Sequence, residues 1–179
     1  MRALLFLLFM VSAGHAQDRD GNDTPGEWRI TTHNAYGLWD SFCDERVTDG
    51  TTEERCYLRY VDVFSGHPKF AAMYLFVTPQ EVEFGIERGT RFAPDGFRIM
   101  AGTGAILWSN KRRSCLAGRQ CTYTGQDAAD LLGLMAQGQT LVLDFSDPHG
   151  ADQVLNWDLT QFAEALKNYR ANALSKGLL

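Results

Sequence analysis

Phe70-Ala71-Ala72-Met73-Tyr74-Leu75-Phe76-Val77, and shortly after it Glu81-Val82-Glu83-Phe84-Gly85-Ile86-Glu87, set the fold class. The first run is almost wholly apolar and suits a central strand covered on both faces. In the second, Val82, Phe84 and Ile86 alternate with Glu81, Glu83 and Glu87, the two-residue period of a strand with one face in the core and an acidic face in water. The same period appears upstream, where Trp28, Ile30 and Thr32 alternate with Arg29, Thr31 and His33. It returns at Cys56 to Phe64, with Tyr57, Val61 and Val63 on one side, before Ser65-Gly66-His67-Pro68 breaks the chain. Between these two strands, Trp39 to Glu54 is charged and reads as irregular, with Asp49-Gly50 as a turn signal.

Downstream, Arg88-Gly89-Thr90 and Pro94-Asp95-Gly96 are turns, and Phe97–Met100 and Ala105–Trp108 are short strands. Gly102-Thr103-Gly104 between them reads as a strand bend. Gln126 to Gln137 changes to a helical period, with Gly138 as its stop. Leu141–Phe145 and Val154–Leu159 form a hairpin around the turn Asp147-Pro148-His149-Gly150. A last helix carries Phe162, Leu166, Tyr169 and Ala173 on one face, with Asp158 and Gln161 spaced as a capping box. About eight strands and two short peripheral helices make an all-β protein, a β-sandwich or jelly-roll-like fold.

Residues 1–16 read as an export signal. Arg2 is a short basic start, Ala3 to Val11 is an apolar run too short to span a bilayer, and Gly14-His15-Ala16 places small residues where a signal peptidase cuts. Residues 17–27 are polar and acidic and form a flexible arm, 28–173 a single domain, and 174–179 a frayed end. No membrane span is expected after cleavage, and the expected location is the periplasm, the outer surface or the medium.

The chain of 179 residues carries a net charge of -5, and removal of the leader with its single Arg2 takes that to -6. An acidic protein of this kind is a poor nucleic-acid binder. The four cysteines, Cys43, Cys56, Cys115 and Cys121, allow three pairings. Proximity favours Cys43–Cys56 and Cys115–Cys121, worth roughly 3.0 and 2.4 kcal/mol of unfolded-chain entropy, while crossed pairings close longer loops and leave the choice to geometry. Their spacing lacks the Cys-x-x-Cys of redox catalysis and the partners of a zinc site.

From the basic segment onward the chain resembles the invasion-associated locus B family of exported bacterial proteins. The resemblance rests on ordered features. A strand leads into Lys111-Arg112-Arg113-Ser114-Cys115 and Gly118-Arg119-Gln120-Cys121. Then come the leucine-rich helix Ala128–Gly138, the strand Leu141-Val142-Leu143-Asp144-Phe145, and the closing segment Leu159–Leu166. A tryptophan ahead of the first cysteine, Trp28 or Trp39, fits as well. The match covers residues 97–170 closely and 28–96 more loosely. It implies a sandwich-like exported protein with a link to host-cell interaction in some pathogens. The family has no agreed enzymatic activity, so no catalytic residue is carried over.

The residues carry no catalytic signature of their own. Gly-x-Ser-x-Gly is absent, and no spacing brings His33, His67 or His149 to a serine or a metal. Glu81, Glu83 and Glu87 share a face, as a solvated strand would show. The expectation is a protein with no cofactor and no metal. Lys111, Arg112, Arg113 and Arg119 are the one basic cluster of an acidic chain, beside a cysteine-closed loop, and are the candidate partner-binding residues. The partner would be an envelope protein, an anionic lipid or a host surface component. A periplasmic hydrolase is the alternative function, and an envelope component of chaperone type is a third.

Overall fold

A computed structural model describes residues 28–65 and 71–179. The leader, the arm and the break around His67 lie outside the described residues. Within them the chain forms ten strands: β1 Arg29–Tyr36, β2 Trp39–Thr48, β3 Thr51–Ser65, β4 Ala71–Val77, β5 Glu81–Gly85, β6 Arg91–Met100, β7 Ile106–Ser109, β8 Cys121–Thr124, β9 Thr140–Ser146 and β10 Asp152–Asp158. Three helices accompany them: α1 Arg113–Leu116, α2 Gly125–Gln137 and α3 Phe162–Ser175. The strands build two antiparallel sheets, one ordered β1-β2-β3-β4-β5-β8 and the other β10-β9-β6-β7. The result is the expected all-β sandwich with peripheral helices, α1 being one more than expected.

The segment read as irregular, Trp39 to Glu54, is instead a hairpin. Asp49 and Gly50 both take positive φ, 52° and 77°, as the two central residues of a tight hairpin turn must. Thr48 therefore faces Thr51 across the strands, and Cys43 faces Cys56. Those two cysteines are bonded, as are Cys115 and Cys121. Charges that hid this hairpin, Asp44, Arg46, Glu53 and Arg55, lie on its outer face and neutralise one another across strands. Arg55 forks onto Asp44, with Nε and an Nη donating to the two carboxylate oxygens at 2.7 and 2.9 Å, and Arg46 donates to Glu53 at 2.8 Å. On the same face Phe42 stacks between His33 at 4.2 Å and Tyr57 at 5.5 Å.

Three further expectations change. Strand β4 buries Ala71, Met73, Leu75 and Val77, but Ala72, Tyr74 and Phe76 are only half-covered, because no layer packs on the outer face of this sheet in the described residues. Likewise Tyr57, Val61 and Val63 do share a side of β3, and it is this outer side; Cys56 and Leu58 face the core. Finally, Pro94-Asp95-Gly96 is no free turn but a bulge within β6, between Phe92 and Phe97.

Two aromatic clusters fill the space between the layers. Trp39, Tyr60, Trp157 and Phe162 meet edge to face where α3 closes one end, with Trp39 and Phe162 at 4.8 Å. The Trp39 indole N–H donates to the Asp158 carbonyl at 2.8 Å, and that of Trp157 to the Asp62 carboxylate at 3.1 Å. Phe84, Phe92, Phe97 and Phe145 fill the other end. Burying side chains of this size contributes roughly 1.5–3 kcal/mol each.

Helix α2 buries Ala128, Leu131, Leu132 and Met135 and stops at Gly138. Helix α3 buries the expected face, Phe162, Leu166, Tyr169 and Ala173, together with Ala165. The capping box does not form. Asp158 ends β10, and its carboxylate accepts from Thr160, the N–H at 2.8 Å, ahead of the helix. Past the helix, Lys176 pairs with Glu54 and the half-buried Leu178 packs on the core, while Leu174 and Leu179 are exposed.

Candidate functional site: an arginine groove between the sheets

The Cys115–Cys121 bond closes a short loop around α1 and joins it to β8, the last strand of the six-stranded sheet. Both cysteines are buried, so the loop is anchored by its ends while Arg113 and Arg119 stay exposed. Opposite lies the turn from β5 into β6, closed by the Thr90 N–H donating to the Glu87 carbonyl at 3.1 Å. That turn carries Arg88 and Arg91, also exposed.

Gly118 brings the two segments together. It takes φ +58°, and a Cβ there would sit 2.6 Å from the Thr90 carbonyl oxygen. Only a residue without a side chain allows this approach. Thr90 is buried beneath the contact. The turn is supported from its other side by Pro148, against which Gly89 packs. Pro148 in turn follows Asp147, whose carboxylate accepts the N–H groups of His149 at 2.8 Å and Ala151 at 2.9 Å. The Ala151 N–H above all, with that of His149 and the Gln153 amide, holds the Asp147 carboxyl below the usual carboxylate range.

Between these walls is an open groove of about 790 Å³, with Arg88 and Arg91 on one side, Arg113 and Arg119 on the other, and Phe92 and Leu116 in its lining. None of its lining residues is acidic. Among the described residues none of the four guanidiniums has a carboxylate within 4 Å, although seven other ion pairs form elsewhere in the fold. A concave surface carrying four uncompensated cations in an acidic protein attracts anions. A neighbouring depression of about 440 Å³ shares Arg119 and includes Glu83 and Glu87.

The four residues singled out from sequence thus divide. Arg113 and Arg119 line the groove. Arg112 points to the opposite side of the loop, where it pairs with Asp127 and lies 4.1 Å from the centre of the Tyr123 ring. Burial pushes the Tyr123 hydroxyl up to about 12, against the pull of Arg112, so it stays protonated and donates to the Asn110 side-chain carbonyl at 3.0 Å. Lys111 reaches the Pro94 carbonyl at 3.4 Å. Arg88 and Arg91 were missed. Their one local sign is a pair of arginines flanking Gly89-Thr90 at the end of an acidic strand.

The remaining candidates lie apart. His33 contacts Asp40 at 2.9 Å on the outer sheet face, His149 sits in the Asp147 turn, and His67 is outside the described residues. Among the described residues no three His, Cys, Asp or Glu side chains converge as a metal site would require, and no helix is long and apolar enough to cross a membrane.

These features define an all-β, disulfide-bonded sandwich with a basic groove. No family model matches the chain, and no curated protein matches it. Among solved structures, the chain is similar to the crystal structure of invasion associated protein B from Bartonella henselae, at 16% identity and a TM-score of 0.44, over 81% of this chain and 99% of that one.

Proposed function

We propose that this is an exported, noncatalytic binding protein of the bacterial envelope or surface, whose arginine groove holds an anionic group of its partner. The observation that carries the reading is the contrast within one molecule. Among the described residues Arg88, Arg91, Arg113 and Arg119 line one groove with no carboxylate within 4 Å, while Arg29, Arg46, Arg55, Arg59 and Arg112 each pair with one. Unpaired guanidiniums held by a disulfide loop and a tight turn cost little entropy to organise around a ligand. Two disulfides among buried cysteines suit an oxidising compartment. The leader-like residues 1–16 and the family resemblance of residues 97–170 support export.

The test is envelope retention in the native bacterium. The variant with Arg88, Arg91, Arg113 and Arg119 all replaced by Ser is expected to leave the envelope fraction at salt concentrations that still retain the parent protein. Its circular dichroism should be unchanged. Equal retention of the two proteins would rule the groove out.

A further inference from the structure

We infer that the groove recognises phosphate rather than carboxylate, and that its ligand presents two phosphate groups. This rests on the anion-binding reading above and specifies its chemistry. The arginines come as two pairs on facing walls, Arg88 with Arg91 on the turn and Arg113 with Arg119 on the disulfide loop. A carboxylate brings one charge and two coplanar oxygens, which a single guanidinium fork satisfies. That would leave most of the groove's charge uncompensated. A phosphate brings up to two charges near neutral pH and a tetrahedral set of oxygens that two guanidiniums share. One phosphate for each pair matches both the number of cations and their division between two walls. The groove's volume of about 790 Å³ leaves room for the scaffold joining the phosphates, and Phe92 and Leu116 give that scaffold apolar contact. A phosphorylated lipid headgroup and a soluble diphosphate share this chemistry.

The experiment uses the mature, oxidised protein in two arms. In the soluble arm, calorimetry compares pyrophosphate with citrate, which carries comparable charge near neutral pH on carboxylates alone. Pyrophosphate should bind at least about tenfold tighter, a difference of about 1.4 kcal/mol. In the membrane arm, phosphatidylcholine vesicles carry either diphosphorylated or monophosphorylated lipid A, and the diphosphorylated ones should capture more protein. Arg91→Ser with Arg113→Ser removes one cation from each wall and should abolish both signals, while Arg46→Ser on the outer sheet face should leave them intact. Response in the vesicle arm alone identifies a lipid source, and response to pyrophosphate alone a soluble one; either supports two-phosphate recognition. Equal binding of citrate and pyrophosphate, with no preference between the vesicles, overturns the phosphate assignment while the anion-binding reading stands. Binding of no anion at all, or equal loss in Arg46→Ser, overturns both.

Discussion

The outer face of the six-stranded sheet and the groove beside it both carry arginines, and the two sets behave differently. On the sheet, Arg46, Arg55 and Arg59 each have a carboxylate and an aromatic ring. Arg55 forks onto Asp44 and lies 3.8 Å from the centre of the Trp28 ring; Arg59 lies 4.3 Å from that of Phe42. These guanidiniums cover a sheet face on which no other layer packs among the described residues. Among the described residues the arginines of the groove have neither partner. The paired arginines belong to the fold, and the four that share the groove are the ones proposed to meet an anion. Arg112 is the direct neighbour of both Lys111 and Arg113, yet belongs to the first class through Asp127 and Tyr123.

The largest effect on this contrast should come from Gly118. Gly118→Ala forces a side chain into positive φ and against the Thr90 carbonyl, at a cost of about 3 kcal/mol. Urea denaturation would read the loss, and the groove should fail with it because its walls no longer meet. A variant as stable as the parent would mean that the close approach does not hold the site.

Next is a direct comparison of the two arginine classes. Arg55→Ala leaves the buried Asp44 carboxylate without its fork. Because half of the Arg55 head is already in water, the expected loss is about 2 kcal/mol, below that of a fully buried pair. Arg113→Ala should change stability by no more than about 0.5 kcal/mol. Parallel denaturation curves check both, and equal losses would erase the distinction.

The smallest effect is one of acidity. Asp147 has its pKa lowered in the folded protein, so it stabilises the fold above the ordinary carboxylate value and loses that contribution as pH falls through the ordinary and then the folded value. Stability measured from neutral pH down to about pH 3 should fall less steeply in Asp147→Asn, whose side-chain carbonyl still accepts the turn's N–H groups. Identical slopes would remove Asp147 from the support of the turn beneath Arg88 and Arg91.

How much of this was legible depended on the range of the forces involved. The alternation from Glu81 and the helical face of Phe162, Leu166, Tyr169 and Ala173 are local periodicities; the helical face appears as read, and the strand does so as far as Gly85, short of Ile86 and Glu87. The hairpin from Trp39 to Glu54 was not, because Asp44, Arg46 and Arg55 look like loop charges until the partner strand supplies their counter-ions. The groove was half legible. The basic run around Cys115 and Cys121 is contiguous, but Arg88 and Arg91 join it through one backbone contact between Gly118 and Thr90, which leaves no periodic trace.

That contact also sets the groove's mechanical position. Each wall is a crossover between the sheets: the turn runs from β5 of the larger sheet into β6 of the smaller, and the disulfide loop from β7 of the smaller into β8 of the larger. An anion gripped by both walls would act as a removable clasp across the seam of the sandwich. Occupancy would then be felt as a tightening of the two halves against each other, with stability rising as the logarithm of ligand concentration. If the proposed anion binds there, the protein would be sturdiest where that ligand is abundant and loosest where it has been lost.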